Sequence, residues 1–358
     1  MAQSGCGLHR ARGSNTMSRR DFLRHLSATA VSGSLIGANR ASTAGEMTQT
    51  SIGYFNPPIN PLEDRLDRPW EMTEAEWSEV LGRVRPGRRL KPAHWPRSTR
   101  FAVAFSFDCD HEVGSLASGN FAPGPLSWGQ RGRRVGVPRI LDILRRHDVR
   151  ATFFVPAVVA LIDPDETRRI AGDGHEVGLH GWIHANNSKL ERATERDIML
   201  RSREILEKVS GQSVAGHRSP NFDMSRYTVE LAAELELEYD SSMMADDSCY
   251  ELLLNGESSG LVEVPVEWAR DDAVYLGFSR SGNRPWLSPT DIFDIFKAEL
   301  EAAAAEGDVF QLLMHPHVIG HRSRVWIIER LIEHARFLGG AWFGTHAEVA
   351  RWARENAA

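Results

Sequence analysis

Beyond Arg100 the chain alternates short, largely apolar runs with longer stretches in which apolar residues recur every three or four positions. The runs are Phe101 to Phe107, Arg150 to Val155, Glu176 to Leu179, Val214 to Arg218, Leu261 to Val266, Val309 to Met314 and Ala341 to Phe343. Apolar residues without alternation describe strands buried on both faces. Between them the spacing predicts helices over Val137 to His147, Pro164 to Ala171, Glu191 to Val209, a segment around Leu231, Pro289 to Ala305 and Arg324 to Phe337. Gly211 is placed to end the third of these in a left-handed cap. Strands alternating with helices specify parallel pairing through crossovers, and about seven such units suit a barrel of the α/β class.

The pattern stops short of Arg100. From about 45 to 100 the sequence is rich in Pro and Trp and holds one helical candidate, Thr73 to Val84, with Thr73 and Glu76 spaced as a capping box. We read this stretch as an extension that packs on the domain or on a neighbouring subunit. Ahead of it, Ser18-Arg19-Arg20-Asp21-Phe22-Leu23 resembles a twin-arginine export signal, and the stretch from Leu26 to Ala38 is too short to span a membrane. Residues 1–44 are therefore expected to be a signal removed on export, with Met17 as an alternative start. The mature protein would be periplasmic, or cytoplasmic if the segment is only a basic tail.

Composition narrows the choice of function. The 358 residues are 42% hydrophobic and 25% charged, with a net charge of -6, which argues against a nucleic-acid partner. Cys6, Cys109 and Cys249 show no C-x-x-C spacing, so neither a zinc ribbon nor a disulfide framework is implied. Cys109 reads as a small packing residue.

The chemistry-bearing residues cluster where strands end. Asp108 and Asp110 close the first run, and alternate strand residues point the same way. His180 and His184 follow the third run, four apart, a spacing that on one helical turn brings two imidazoles to one metal ion. One carboxylate with two imidazoles leaves open coordination positions and frees the second aspartate to act as a base. Arg218 ends the next run, Asp271 and Asp272 follow Val264 to Trp268, and His315 follows Val309 to Met314. A D-x-D or an H-x-x-x-H alone serves as readily in a turn or cap. Their shared position matters because the strand C-termini of a parallel barrel converge on its active site.

Six ordered segments carry a resemblance to a known family. They are Ser106-Phe107-Asp108-Cys109-Asp110, His180-Gly181-Trp182-Ile183-His184, His217-Arg218-Ser219-Pro220, Tyr239-Asp240-Ser241-Ser242, Trp268 to Asp272, and Met314 to Arg324. Over about Phe101 to Trp352 the chain resembles the polysaccharide deacetylases (NodB-homology, family 4 carbohydrate esterases), within the branch that holds D-x-D peptidoglycan deacetylases, cyclic imide hydrolases and allantoinase-like proteins. The resemblance implies a distorted (β/α)7 barrel over 101–355. It implies that Asp108 is the general base, that Asp110, His180 and His184 bind a divalent metal, zinc by expectation, and that His315 is the general acid. Arg218 would hold Asp108 ionised, Asp271 or its neighbour Asp272 would orient His315, and Trp268 would form an apolar wall.

Two departures from the common family pattern stand out: Cys109 separates the aspartates, and Gly181 stands where many deacetylases carry Ser or Thr. His111 and Glu112 are further candidate ligands, and His317 and His321 stand close enough to His315 to substitute for it. The implied activity is metal-dependent hydrolysis of a non-peptide carbon–nitrogen bond, foremost N-deacetylation of an amino-sugar polymer or oligosaccharide. Ring-opening of a small cyclic imide or ureide is the alternative, and a carbohydrate-binding barrel without catalysis the third reading. Trp128, Trp182 and Trp286 are candidate sugar platforms. No nucleic acid and no stable membrane anchor are expected as partners, and a homo-oligomer would use the 45–100 segment as a contact.

Overall fold

The structure, a computed structural model, describes residues 68–277 and 287–357. The export segment, Cys6, the first part of the 45–100 segment and Trp286 lie outside the described residues. No described helix is long and apolar enough to cross a membrane.

Ten strands form one sheet: β1 Val84–Arg89, β2 Phe101–Asp108, β3 Thr152–Val155, β4 Glu176–Leu179, β5 Gly216–His217, β6 Tyr239–Asp240, β7 Tyr250–Leu254, β8 Glu257–Glu263, β9 Val309–Met314 and β10 Ala341–Phe343. Seven of them, in the order β8-β6-β5-β4-β3-β2-β9, are parallel and curl into the expected (β/α)7 barrel. No ladder joins β8 to β9 among the described residues; a single bridge, Asp271 to Leu313, spans that side. β2 pairs with three other strands, and every one of its residues is buried. It pairs with β9 along one edge, and on the other with β10 at Phe101 to Val103 and β3 at Ser106 to Asp108.

The helices follow from their sequences. Pro289–Glu306 opens on a Ser288/Asp291 capping box and closes on Gly307 at φ 72°, and Arg192–Ser210 closes on Gly211, also at φ 72°. Glycine adopts this left-handed conformation without steric cost. Val137–Arg146 turns Val137, Ile140, Leu141, Ile143 and Leu144 into the core, the period expected of a helix lying on a sheet.

The described part of the 45–100 segment packs on the barrel. The Thr73/Glu76 capping box forms at the start of Glu74–Arg83, and β1 adds an antiparallel edge strand beside β7. Trp95 is fully buried, stacks on Trp342 and donates from Nε1 to the Gly307 carbonyl at 3.2 Å.

One feature departs from the pattern of parallel strands. The run read as Leu261 to Val266 begins earlier, at Glu257, and is the second arm of an antiparallel hairpin with β7. Its turn is Asn255-Gly256, with φ of 53° and 85°, the two-residue turn that an Asn-Gly pair favours.

Candidate active site

The acidic pair leaves β2 in two directions of contact. Asp108 Oδ1 accepts from Arg218 Nη1 at 2.8 Å, and Asp108 Oδ2 lies 3.6 Å from His180 Nε2. Asp110 Oδ1 lies 3.3 Å from His180 Nε2 and 3.5 Å from His184 Nε2, while its Oδ2 faces His315 Nε2 at 3.6 Å.

The two histidines converge by a turn rather than along a helix. His180 directly follows β4, residues 181–183 form a turn, and both Gly181 (φ 69°) and His184 (φ 62°) are left-handed. The carbonyls of Gly181 and Trp182 accept from Ala157 and Val158, which fixes the turn against the end of β3. The rings meet edge to face at 5.1 Å between centroids. Four-residue spacing brings the imidazoles together here as a helix would, by different backbone geometry.

Asp110, His180 and His184 each offer one ligand atom, all within 4.8 Å of one another. Asp110 Oδ1 and His180 Nε2 are enclosed and have no hydrogen-bond partner. Enclosed polar atoms are costly when left unpaired. His180 Nδ1 donates to the Arg218 carbonyl at 2.8 Å, which leaves Nε2 as the ring atom turned toward Asp110 and available to a metal, the way a metal-binding histidine is held. The donor set fits a divalent cation. Burial works against charge on Asp110, but His184, His180 and His315 around it hold its carboxyl well below the usual range. His111 and Glu112 turn away from this group: His111 Nε2 donates to Glu166 at 2.8 Å, and Glu112 pairs with Arg133. Cys109 is fully buried in the core, and burial raises its thiol well above the ordinary value.

Arg218 is fully closed to solvent. Nε donates to the Ser241 carbonyl at 2.8 Å, Nη1 to Ser106 Oγ and Asp108 Oδ1, and Nη2 to Ser241 Oγ at 2.7 Å and His346 Nε2 at 3.4 Å. Asp108 is thus the one carboxylate bonded to this cation among the described residues. Sequence reasoning missed Ser106, Ser241 and His346, although Ser106 lies two residues before Asp108 and so shares its face of β2.

Across the cavity His315 Nδ1 donates to Asp272 Oδ1 at 2.8 Å, and the His315 backbone N–H donates to the same carboxylate. Asp271 stands farther back, with Oδ1 3.7 Å from His315 Nδ1, and accepts from Ala273 N at 2.8 Å. Of the two neighbours, then, Asp272 is the direct partner of His315, and Asp271 caps the helix Asp272–Leu276. Burial opposes charge on His315, but the Asp272 bond and the nearby Asp110 and Asp271 carboxylates raise it well above its ordinary value. Burial, reinforced by Asp272 and Asp108, pushes the Asp271 carboxyl up to about 7 against the pull of His315.

These groups open onto a cavity of about 550 Å³ lined by Asp108, Asp110, His184, Asp271, His315 and His317, with Trp128, Phe222 and Trp268 among its apolar walls. Trp268 is half-exposed and packs edge to face on Phe222 at 5.0 Å. Trp128 lines the cavity, whereas Trp182 sits under the Arg201 guanidinium at 4.7 Å and is not among the lining residues.

The barrel brings two carboxylates and the Asp272-bonded His315 to one cavity, and the family identified by comparison consists of hydrolases of carbon–nitrogen bonds other than peptide bonds. Residues 124–239 match the family described as polysaccharide deacetylase. A crystal structure from Mycobacterium smegmatis classed as a polysaccharide deacetylase is 35% identical, covers 76% of this chain and 95% of its own, and superposes with a TM-score of 0.70. The peptidoglycan deacetylase of Helicobacter pylori is 28% identical over 276 residues, 69% of this chain and 94% of the relative. The Puue allantoinase shares the fold, with a TM-score of 0.64 at 24% identity over 75% of this chain and 94% of its own. The chain belongs to the polysaccharide deacetylase family.

Proposed function

We propose that this protein removes N-acetyl groups from an amino-sugar polymer or oligosaccharide of the peptidoglycan or chitooligosaccharide type. The observation that carries the reading is the placement of Asp108 and His315 on one cavity with the Asp110, His180 and His184 group between them. Those three residues would hold a divalent ion, zinc by expectation, which supplies polarisation of the amide carbonyl and acidification of water. Asp108, held in place by the hydrogen bond from Arg218, takes the proton of the attacking water. His315, charged and oriented by Asp272, gives a proton to the departing amine nitrogen, which is otherwise too basic to leave. Trp128, Trp268 and Phe222 offer flat apolar faces against which sugar rings can lie. The named activities of the relatives, on peptidoglycan and on chitooligosaccharide, support the same substrate class.

Export through a twin-arginine signal and work in the periplasm belong to this reading, because such polymers lie outside the cytoplasm. N-terminal sequencing of secreted protein tests it, and a cytosolic protein that keeps its Met1 or Met17 end contradicts it. For the activity, chelator-treated protein is reloaded with zinc or cobalt and acetate release from acetylated chitooligosaccharides is measured. Turnover of a cyclic imide with no acetate release overturns the assignment in favour of ring-opening. No turnover of either, with glycan binding retained, indicates a binding barrel.

A further inference from the structure

His315 and His317 lie two residues apart at the same cavity, yet their surroundings differ. His315 spends its Nδ1 on Asp272. His317 is 8% exposed, lines the cavity, and neither of its ring nitrogens bonds to a protein group among the described residues; Nδ1 is enclosed outright. Its ring is nevertheless held firmly. It meets Trp128 edge to face at 4.7 Å and His315 at 5.7 Å. Behind it lies Gly132, where an added Cβ would stand 3.1 Å from His317 Cβ. Burial and the neighbouring His315 push His317 down to about 3, so the ring is neutral at ordinary pH and keeps one donor and one acceptor.

A buried, immobilised, neutral imidazole with no protein partner calls for a ligand to complete it. We propose that Trp128 and His317 form a sugar subsite, in which the neutral imidazole hydrogen-bonds a hydroxyl of the substrate unit carrying or adjoining the scissile acetamide while the indole packs on the ring. This rests on the reading of the protein as an amino-sugar deacetylase and adds to it a residue that selects substrate without moving a proton. A charged group is not expected there, because neither the Trp128 indole nor the His317 ring carries a charge to pair with one. The wall suits a neutral polyhydroxylated ligand.

The test compares zinc-loaded wild type, His317→Phe and His317→Gln on acetylated chitotetraose, with calorimetric binding of the same tetramer to each. Phe keeps the ring packing against Trp128 and removes both nitrogens, whereas Gln keeps a donor and an acceptor. His317→Phe is expected to raise KM and the dissociation constant about tenfold, the worth of one hydrogen bond, with kcat changed less than about twofold. His317→Gln should recover much of the loss, and a Phe variant matched to wild type in melting temperature excludes misfolding as the cause. A fall in kcat at unchanged KM, or equal binding by wild type and His317→Phe, overturns the subsite. Failure of wild type to bind or deacetylate the tetramer instead overturns the underlying sugar reading, and the subsite with it.

Discussion

Arg218 and Asp108 form an ion pair at 2.8 Å in which the guanidinium is fully closed to solvent and the carboxylate nearly so. The other acceptors of Arg218 are neutral, so the cation depends on Asp108 for its charge balance as much as Asp108 depends on it. Removing one member leaves a buried charge uncompensated. Arg218→Met is expected to lower unfolding free energy by about 3 to 5 kcal/mol. The double variant Arg218→Met with Asp108→Asn should recover part of that loss in urea denaturation while remaining inactive.

Asp108 and His184 should separate turnover from metal retention. Asp108→Asn is expected to suppress acetate release while the purified protein keeps its zinc, because Asp108 bonds to Arg218 and lies outside the three-residue donor group. His184→Ala removes one of three donors and should lose the metal on dialysis. Elemental analysis checks both, and equal metal loss in the two variants refutes the division of roles.

Asp272 and Asp271 differ in contact and should differ in effect. Asp272→Asn takes away the carboxylate that orients His315, and kcat is expected to fall about a hundredfold or more, within the range of general acid catalysis. Asp271→Asn, which leaves the His315 hydrogen bond in place, should fall several times less. Steady-state rates at saturating substrate decide, and a larger loss at Asp271 would reassign the pair.

His175 makes stability depend on acidity. Its Nδ1 accepts from the Ala151 N–H at 3.2 Å, and burial lowers its value from 6.5 to about 4. The unfolded chain therefore binds the proton more tightly than the folded one. This contribution is complete above the unfolded value of 6.5 and is lost as pH falls from there toward about 4. It amounts to about 3 kcal/mol. His175→Gln keeps an acceptor for Ala151 and should flatten that portion of the curve in denaturation measured across the same window.

Gly132 packs against His111 and His317 with no room for a side chain. A Cβ there would stand 2.4 Å from His111 Nδ1, so Gly132→Ala should cost about 1 to 3 kcal/mol through overpacking. At Gly124, in the preceding helix Pro123–Arg131, an added methyl would meet nothing within 4 Å, and Gly124→Ala should raise stability slightly. Thermal unfolding of the two variants side by side checks the contrast.

Sequence and structure agree most closely where burial alone decides conformation. Val309–Met314, buried throughout, and Glu176–Leu179, buried but for its first residue, carry the bounds that their runs predict. The β7/β8 hairpin escaped because attention to parallel crossovers passes over a two-residue turn, although Asn255-Gly256 announces it. The choice between Asp271 and Asp272 was beyond the sequence for a different reason. Adjacent carboxylates at a helix start point in different directions, and which one meets His315 depends on the extended backbone of Asp271, at φ -126° and ψ 121°. Likewise, residue spacing brought His180 and His184 together without revealing the left-handed turn that joins them.

The pairing of β2 with β9 also has a temporal meaning. The strand that ends in Asp108 and leads into Asp110 is among the first of the barrel to be synthesised, but its pairing with β9 joins residues far apart in the chain, as in the Ser106 Oγ bond to the Leu312 carbonyl with a separation of 206. Contacts of such range close late, after the entropy of the intervening loop has been overcome. A chain growing from its N-terminus thus holds Asp108 and Asp110 for most of its synthesis without β9 and the His315 that follows it, and the cavity closes only after nearly the whole barrel has been made.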